Sequence, residues 1–231
     1  MLMKWMLPDT MSDRMARAGV VAVVTAEQPE DAVAVARALL AGGVGAMELT
    51  FRTAQAAEAI RCIRLEVPEI MVGAGTLLNR AQVAEAVGAG ALFGVAPGCN
   101  PATIAAASDE GLPFAPGVMT PTDMEIAIEH GCRVLKYFPA TNLAGPSNLE
   151  TMAAPFAHLG VRFIPLGGIS AATLPQWLAS AAVLCVGGSW LAPRDTIRQK
   201  DWAAVQRNAA TAAQIVQSRN SPPPAPASLR A

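Results

Sequence analysis

The sequence repeats one unit eight times: a short apolar run, a polar residue that can start a helix, an alanine-rich segment and a glycine. Successive runs start about 20 to 29 residues apart, which leaves room for one strand, one helix and two short loops. Because the runs are apolar at consecutive positions, they predict strands that are buried on both faces, as in parallel sheets. The runs are VVAVVTA from Val20, AMELTF from Ala46, IMVGAGT from Ile70, LFGVAPG from Leu92, PFAPGV from Pro113, RVLKYFP from Arg133, RFIPLGG from Arg162 and AVLCVGG from Ala182.

The segments between the runs carry the signals of helix ends. Capping side chains or first-turn prolines precede them, and glycine usually follows. These starts are Glu30-Asp31, Asn79, Asn100-Pro101, Thr120-Pro121 and Ser170, with Pro175 early in the helix after Ser170. Eight alternating units predict a (β/α)8 TIM barrel, and a doubly wound open sheet is the alternative.

The barrel accounts for residues 20–218, as a single domain, and leaves a segment at each end. Residues 1–19 form an N-terminal segment, in which residues 8–18 are expected to make a short helix that covers the barrel floor. A last helix is predicted from about Trp202 to Gln217. Residues 219–231, which end in the sequence SPPPAPASLRA, are Pro-rich and are predicted to be disordered.

The composition restricts the kinds of binding partner and the cellular compartment that we expect. Hydrophobic residues make up 52 % of the chain and charged residues 15 %, and the net charge is −1, so we expect neither nucleic acid nor a membrane surface as partner. No apolar run is long enough to span a bilayer, and the N-terminus lacks a secretory signal, which predicts a cytoplasmic protein. The chain has two histidines and no CxxC pair, so we expect no metal site and no disulfide framework.

The carboxyl ends of the strands are where a barrel of this kind carries its site. Lys136 lies in the apolar run VLKYF, where burial disfavours the ammonium form, and a neutral amine can attack a ketone to form an imine. The alternative is a lysine that reaches solvent or pairs with Glu48.

Glu48, Thr50 and Arg52 alternate along the second strand and should face the same side. Glu48 is a candidate general acid/base, or else part of a structural ion pair. Arg52 offers a guanidinium that can bind a carboxylate with two hydrogen bonds, unless it is an ordinary solvated arginine.

Glycine pairs end the last two strands, at Gly167-Gly168 and Gly187-Gly188. Such loops present backbone N–H groups to an anion, and phosphate sites in barrels often lie there. Ser170 and Ser189 can add hydroxyl donors. The alternative is a pair of tight turns without a ligand.

Six motifs occur in an order that resembles the 2-keto-3-deoxy-6-phosphogluconate (KDPG) aldolase family, which includes 2-keto-4-hydroxyglutarate (KHG) aldolases. They are AGGVGAMELTFRT, EVPEIMVGAGTLLN, VAPG, LKYFPA, PLGGIS and LCVGGSWL, and the resemblance covers roughly residues 20–193. It implies a class I aldolase on a (β/α)8 barrel, a homotrimer that uses a small 2-keto acid substrate and needs no metal and no cofactor.

The resemblance also assigns roles. Lys136 would form the Schiff base, and Glu48 would be the acid/base, acting through a bound water. The remaining roles are Arg52 and Thr76 for the pyruvate carboxylate, Pro97 and Phe138 for the pocket walls, and Gly167, Gly168, Gly188 and Ser189 for the phosphate.

Four positions depart from the family pattern, and all lie outside the pyruvate half of the site. Thr141 and Ala144 replace a glutamate and a glycine near the phosphate end, Leu166 replaces a threonine, and Ala96 replaces a serine. Without the threonine hydroxyl, discrimination among sugar epimers should change.

Three functions follow as hypotheses. The first is cleavage of KDPG to pyruvate and D-glyceraldehyde 3-phosphate, with KHG as a further substrate. The second is the same chemistry on the galactonate epimer or an unphosphorylated 2-keto acid, which Leu166 and the 141–144 loop motivate. The third is a non-catalytic barrel that binds a phosphometabolite.

Overall fold

A computed structural model describes residues 9–140 and 145–220. Within these ranges the chain forms nine short strands, and each of the eight apolar runs contributes to them. Pro116 divides the fifth run into two strands. The strands are β1 (Val20–Val24), β2 (Ala46–Thr50), β3 (Met71–Gly75), β4 (Gly94–Val95), β5 (Phe114–Ala115), β6 (Gly117–Val118), β7 (Val134–Tyr137), β8 (Arg162–Pro165) and β9 (Val186–Gly188).

All strand pairs are parallel. One sheet has the order β5-β4-β3-β2-β1-β9, and a second has the order β6-β7-β8. Two isolated parallel bridges, Phe163 with Val183 and Leu166 with Gly187, connect β8 to the segment that contains β9. The prediction of an α/β fold with buried parallel strands is therefore confirmed.

The helices alternate with the strands, as the start signals predict. They are α1 (Asp9–Ala18), α2 (Pro29–Ala41), α3 (Ala56–Glu66), α4 (Arg80–Gly88), α5 (Pro101–Asp109), α6 (Pro121–Glu129), α7 (Pro146–Ala153), α8 (Leu174–Ala179), α9 (Arg194–Arg198) and α10 (Trp202–Asn220). Short 3-10 helices cover Ala154–Leu159 and Ser189–Leu191.

Three predicted capping side chains make the expected hydrogen bonds. Asn79 accepts from the backbone N–H of Gln82, and Asn100 accepts from that of Ala102. Thr120 and Asp123 form a reciprocal capping box at the start of α6. These bonds satisfy backbone donors that no helical turn can reach, which is why polar residues mark the helix starts.

The predicted helix start after Ser170 is wrong by three residues. Thr173 Oγ1 accepts from the backbone N–H of Ser170 at 3.0 Å, so residues 170–173 form a turn and α8 begins at Leu174. Proline has no N–H to donate and is tolerated in a first turn, so Pro175 belongs immediately after the start of the helix.

Helices lie at both ends of the described chain, and the C-terminal one is longer than expected. α1 confirms the short helix before β1, and its Met15 packs with Val21, Ala46 and Met71, near the amino ends of the first strands. α10 continues to Asn220, past the predicted end at Gln217 and into the predicted tail. Residues 1–8 and 221–231 lie outside the described residues, and so does the loop 141–144.

The interior is apolar except near the carboxyl ends of the strands. Within the described ranges, the buried polar or charged residues are Thr25, Glu48, Thr50, Thr103, Lys136 and Ser180. Buried polar groups are costly unless they are paired, so the four that lie on or directly after strands β1, β2 and β7 point to a site. In the described part of the chain, no helix is long and apolar enough to cross a membrane.

Candidate active site

Lys136 lies in the middle of β7 with its side chain buried, at 4 % exposure for the residue. It pairs in register with Gly117 of β6, and its backbone N–H donates to Pro116 O at 2.8 Å. A Cβ on Gly117 would lie 2.2 Å from Pro97 O, so only glycine lets the chain at Pro97 approach this closely. The predicted pocket residue Pro97 is thereby held beside the strand next to Lys136.

Glu48 and Lys136 meet across the interior although 88 residues separate them in sequence. Lys136 Nζ donates to Glu48 Oε1 at 3.4 Å, and Glu48 is 3 % exposed. A Cβ on Gly75 would lie only 2.7 Å from Glu48 Oε1, so the glycine leaves space for the carboxylate. Removing two charges from water is costly, and their attraction and hydrogen bond offset part of that cost.

Apolar groups surround this pair. The Phe138 ring centroid lies 5.6 Å from Lys136 Nζ, which suits a cation–π contact. Cys185 is fully buried; burial, together with the negative charge of Glu48, raises the pKa of its thiol to about 12. Cys185 therefore stays a neutral thiol near the carboxylate.

A short hydrogen-bond chain holds Arg52 at the edge of this region. Thr25 Oγ1 accepts from Arg52 Nη2 at 2.8 Å and lies 2.8 Å from Thr50 Oγ1. Partial burial and the nearby charge of Arg194 lower the pKa of Arg52, whereas Glu48 raises it. Arg52 is thus an exposed but tethered cation, and the expected alternation of Glu48, Thr50 and Arg52 brings all three to one end of the sheet.

Thr76 follows β3, the strand that pairs with β2, and it has a left-handed φ of 62°. The register places Thr50 opposite Gly75, so Thr76 and Arg52 leave the sheet at the same edge. A non-glycine residue with positive φ is uncommon and is held by its surroundings.

The glycine pairs also lie at this edge. Gly167 and Gly168 have φ of 109° and 74°, which only glycine adopts without strain. A Cβ on Gly188 would lie 2.7 Å from Trp190 Nε1, so the indole packs directly on the backbone there. Ser189, the next residue, is exposed.

Leu166 is buried, and a Cβ on Gly187 would lie 2.3 Å from Leu166 Cδ1. The side chain at the position where the family pattern has threonine is therefore apolar and packed between β8 and β9. No hydroxyl is offered from this position.

Comparison with known proteins identifies the family. The family description "KDPG and KHG aldolase" matches residues 11–208. The chain belongs to the KDPG and KHG aldolase family. The 2-dehydro-3-deoxy-phosphogluconate aldolase of Treponema pallidum is 42 % identical over 207 residues, which cover 90 % of this chain and 98 % of that protein. The KHG/KDPG aldolase of Escherichia coli K12 is 43 % identical over 188 residues, covering 81 % of this chain and 87 % of that protein.

A solved member of the family has the same fold. The crystal structure of KDPG aldolase from Legionella pneumophila, with pyruvate captured as a covalent carbinolamine, superposes with a TM-score of 0.82 at 30 % identity. The match covers 87 % of this chain and 97 % of that one.

Two residues at this edge of the aldolase fold were not predicted from the sequence. Thr25 directly follows β1, so inspection of the end of the first strand would have identified it. Arg194 begins α9, outside the strands, and lies in a cavity wall beside Arg52. No period or motif in the sequence points to Arg194.

Proposed function

We propose that this chain is a class I aldolase that cleaves KDPG to pyruvate and D-glyceraldehyde 3-phosphate through an imine on Lys136. The observation that carries the proposal is the buried contact of 3.4 Å between Lys136 Nζ and Glu48 Oε1. A buried lysine beside a carboxylate supplies both the nucleophile and the proton carrier of this chemistry. The carbinolamine captured in the Legionella pneumophila relative supports the same intermediate here.

The strand pairings support a closed (β/α)8 barrel of one domain. β5 and β6 are consecutive apart from Pro116, the bridges connect β8 with β9, and β9 pairs with β1. A circle of eight strand units closed in this way would form a single domain of about residues 20–218. In such a barrel Lys136 and Glu48 point into the site from different strands.

The reaction needs four steps. Lys136 attacks the C2 carbonyl as a neutral amine, and the carbinolamine takes up one proton from solvent and loses water to give a protonated imine. The C3–C4 bond then breaks, its electron pair forms an enamine, and the C4 hydroxyl proton passes to Glu48 as the aldehyde leaves. Glu48 returns this proton to C3, and water hydrolyses the protonated imine to release pyruvate, the free amine and the proton taken from solvent.

The other predicted residues would position the substrate. Arg52 and Thr76 leave the sheet at one edge and would bind the pyruvyl carboxylate. Phe138 lies 5.6 Å from Lys136 Nζ, and Pro97 lies against Gly117, the residue that pairs with Lys136; both would form walls of the pocket. The phosphate would lie against the backbone of Gly167, Gly168 and Gly188 and the hydroxyl of Ser189.

A second candidate is the same retro-aldol chemistry on the galactonate epimer or an unphosphorylated 2-keto acid. The packing of Leu166 between β8 and β9 favours it, because a hydroxyl donor is missing where the substrate's own hydroxyl groups would lie. Sites that hydrogen-bond a substrate hydroxyl discriminate strongly, and loss of the donor relaxes that discrimination.

Pyruvate release from KDPG and from its galactonate epimer tests these proposals. We expect cleavage of KDPG by the wild type and none by Lys136→Met or Lys136→Arg, which cannot form the imine. Lys136→Arg keeps a cation beside Glu48 and so limits the destabilisation expected from an unpaired buried carboxylate. If neither epimer releases pyruvate with well-folded wild-type protein, the aldolase proposal fails; calorimetric binding of a phosphorylated sugar acid would then favour the non-catalytic barrel.

The assembly and the compartment are proposed from the sequence. A homotrimer follows from the resemblance, and light scattering on the purified chain tests it, with a monomer mass as the contrary result. The cytoplasmic location stays a prediction from the sequence.

A further inference from the structure

Two arginines line one cavity next to the proposed site. The cavity has a volume of about 410 Å³, and its walls include Arg52, Arg194, Thr25, Ser189 and Trp190. Arg52 comes from the segment after β2, and Arg194 comes from the start of α9, so the fold brings together two cations that are distant in sequence. The pyruvyl carboxylate assigned to Arg52 accounts for only one of them.

Neither guanidinium is neutralised by the protein. In residues 9–140 and 145–220, the ion pairs of arginine involve Arg37, Arg61, Arg80, Arg198 and Arg207. Arg52 donates to the neutral hydroxyl of Thr25. The charge of Arg194 also contributes to lowering the pKa of Arg52, which shows that the two cations repel each other. An anion bound beside Arg194 would reduce this repulsion.

The wall of the cavity also offers a hydroxyl. Ser189 is exposed there, whereas the indole nitrogen of Trp190 packs on the backbone of Gly188. The wall therefore combines two positive charges with a hydroxyl donor, a set that matches the oxygens of an anion.

We infer that Arg194 extends the proposed phosphate site and determines the preference for a phosphorylated aldehyde, because it lines the same cavity as Ser189. The inference rests on the proposed aldolase function. The aldehyde half is favoured over the pyruvyl half because Ser189 and Trp190 follow β9, next to the proposed phosphate loops, whereas Lys136 lies on β7. Arg194 is a specificity residue that contacts the anion and takes no part in the bond cleavage.

The test runs the reaction in the direction of aldol addition, with pyruvate and one of three aldehydes. These are D-glyceraldehyde 3-phosphate, unphosphorylated D-glyceraldehyde and glyoxylate, which carries a carboxylate. The variants are Arg194→Gln and Arg194→Lys, and Arg198→Gln is the control. Arg198 lies on the same short helix, is paired with Asp195 and is not part of the cavity wall.

For Arg194→Gln we expect KM for D-glyceraldehyde 3-phosphate to rise on the order of tenfold or more, the usual effect of losing a hydrogen bond to a charged group. KM for D-glyceraldehyde should change less than twofold. Arg194→Lys should recover part of the loss, and Arg198→Gln should match the wild type. If KM for glyoxylate also rises tenfold, Arg194 recognises carboxylates as well as phosphates. If KM for glyoxylate does not rise, Arg194 is specific for phosphate.

Equal changes in KM for the phosphorylated and unphosphorylated aldehydes would overturn the inference. A rise in KM for pyruvate alone would also overturn it, because Arg194 would then act through Arg52 on the pyruvyl carboxylate. Borohydride trapping of pyruvate on the wild type tests the aldolase function independently of the role of Arg194. Trapping on Lys136 leaves the proposed function standing even if Arg194 has no role.

Discussion

Gly75→Ala adds one methyl group directly against the proposed acid/base. The new Cβ would lie 2.7 Å from Glu48 Oε1 and 3.0 Å from its carboxyl carbon. Ordinary contacts of a Cβ begin at 3.4 Å, so the carboxylate must move by about 0.7 Å (3.4 − 2.7). Gly75 does not have a positive φ, so alanine should not strain the backbone. The change therefore perturbs the position of Glu48 while leaving its chemistry intact.

A displacement of this size should be costly to the reaction. Misplacing a reacting group by about 1 Å costs about 100-fold in rate, so we expect kcat to fall about 10- to 100-fold. Imine formation with pyruvate, which needs Lys136, should fall much less. The extra methyl should also lower the free energy of unfolding by about 1–3 kcal/mol. Pyruvate release from KDPG gives kcat, borohydride trapping gives the imine, and urea denaturation gives stability.

Gly88→Ala is the matched control. Gly88 ends α4, and a Cβ there would meet nothing within 4 Å, so kcat should be unchanged and stability equal or higher. As a second check, Gly75→Ala is combined with Glu48→Gln. Because the two residues are coupled, Gly75→Ala should lower kcat much less in the Glu48→Gln variant than in the wild type. If Gly75→Ala retains kcat within twofold of the wild type, the position of Glu48 does not limit the reaction and the assigned role is wrong.

Three further perturbations have defined outcomes. Leu166→Thr should restore a hydroxyl donor and change the ratio of kcat/KM between KDPG and its galactonate epimer several-fold; an unchanged ratio would remove Leu166 from the specificity argument. Burial raises the pKa of Cys132 and Cys185 from 9.0 to about 12. The unfolded chain therefore loses these protons first as the pH rises above 9, and each thiol should reduce the free energy of unfolding by about 1.4 kcal/mol per pH unit. Urea denaturation between pH 8 and 10.5 should show this slope, and the Cys132→Ala/Cys185→Ala variant should show a flatter one; equal slopes would contradict the burial argument. Thr120→Ala should lose about 1 kcal/mol of stability by urea denaturation with kcat unchanged, because it removes the cap of α6; no loss would mean that its bond with Asp123 is replaced by solvent.

Much of the fold can be predicted from local sequence patterns. The eight apolar runs and the capping residues Asn79, Asn100 and Thr120 each have a physical reason to start or fill an element, and the structure confirms them. The start at Ser170 is wrong because Thr173 forms a local turn that competes with the helix, and a serine before an alanine-rich segment gives no sign of it.

The candidate site is predictable only in part. The strand-end rule selects Lys136, Glu48 and Arg52 one by one, and parallel strands ensure that they reach the same edge. Their distances depend on side-chain packing between strands, so the contact between Lys136 and Glu48 and the close approach of Gly75 to Glu48 appear only in three dimensions. The approach of Arg194 to Arg52 depends on how α9 packs after β9, which no local pattern encodes.

The central claim is that Lys136 forms an imine with pyruvate. Borohydride reduction in the presence of pyruvate, followed by peptide mass mapping, tests it most directly. We expect a reduced pyruvyl adduct on the peptide that contains Lys136, and no adduct on the folded Lys136→Arg variant. An adduct on another lysine, or none on well-folded wild-type protein, would contradict the claim.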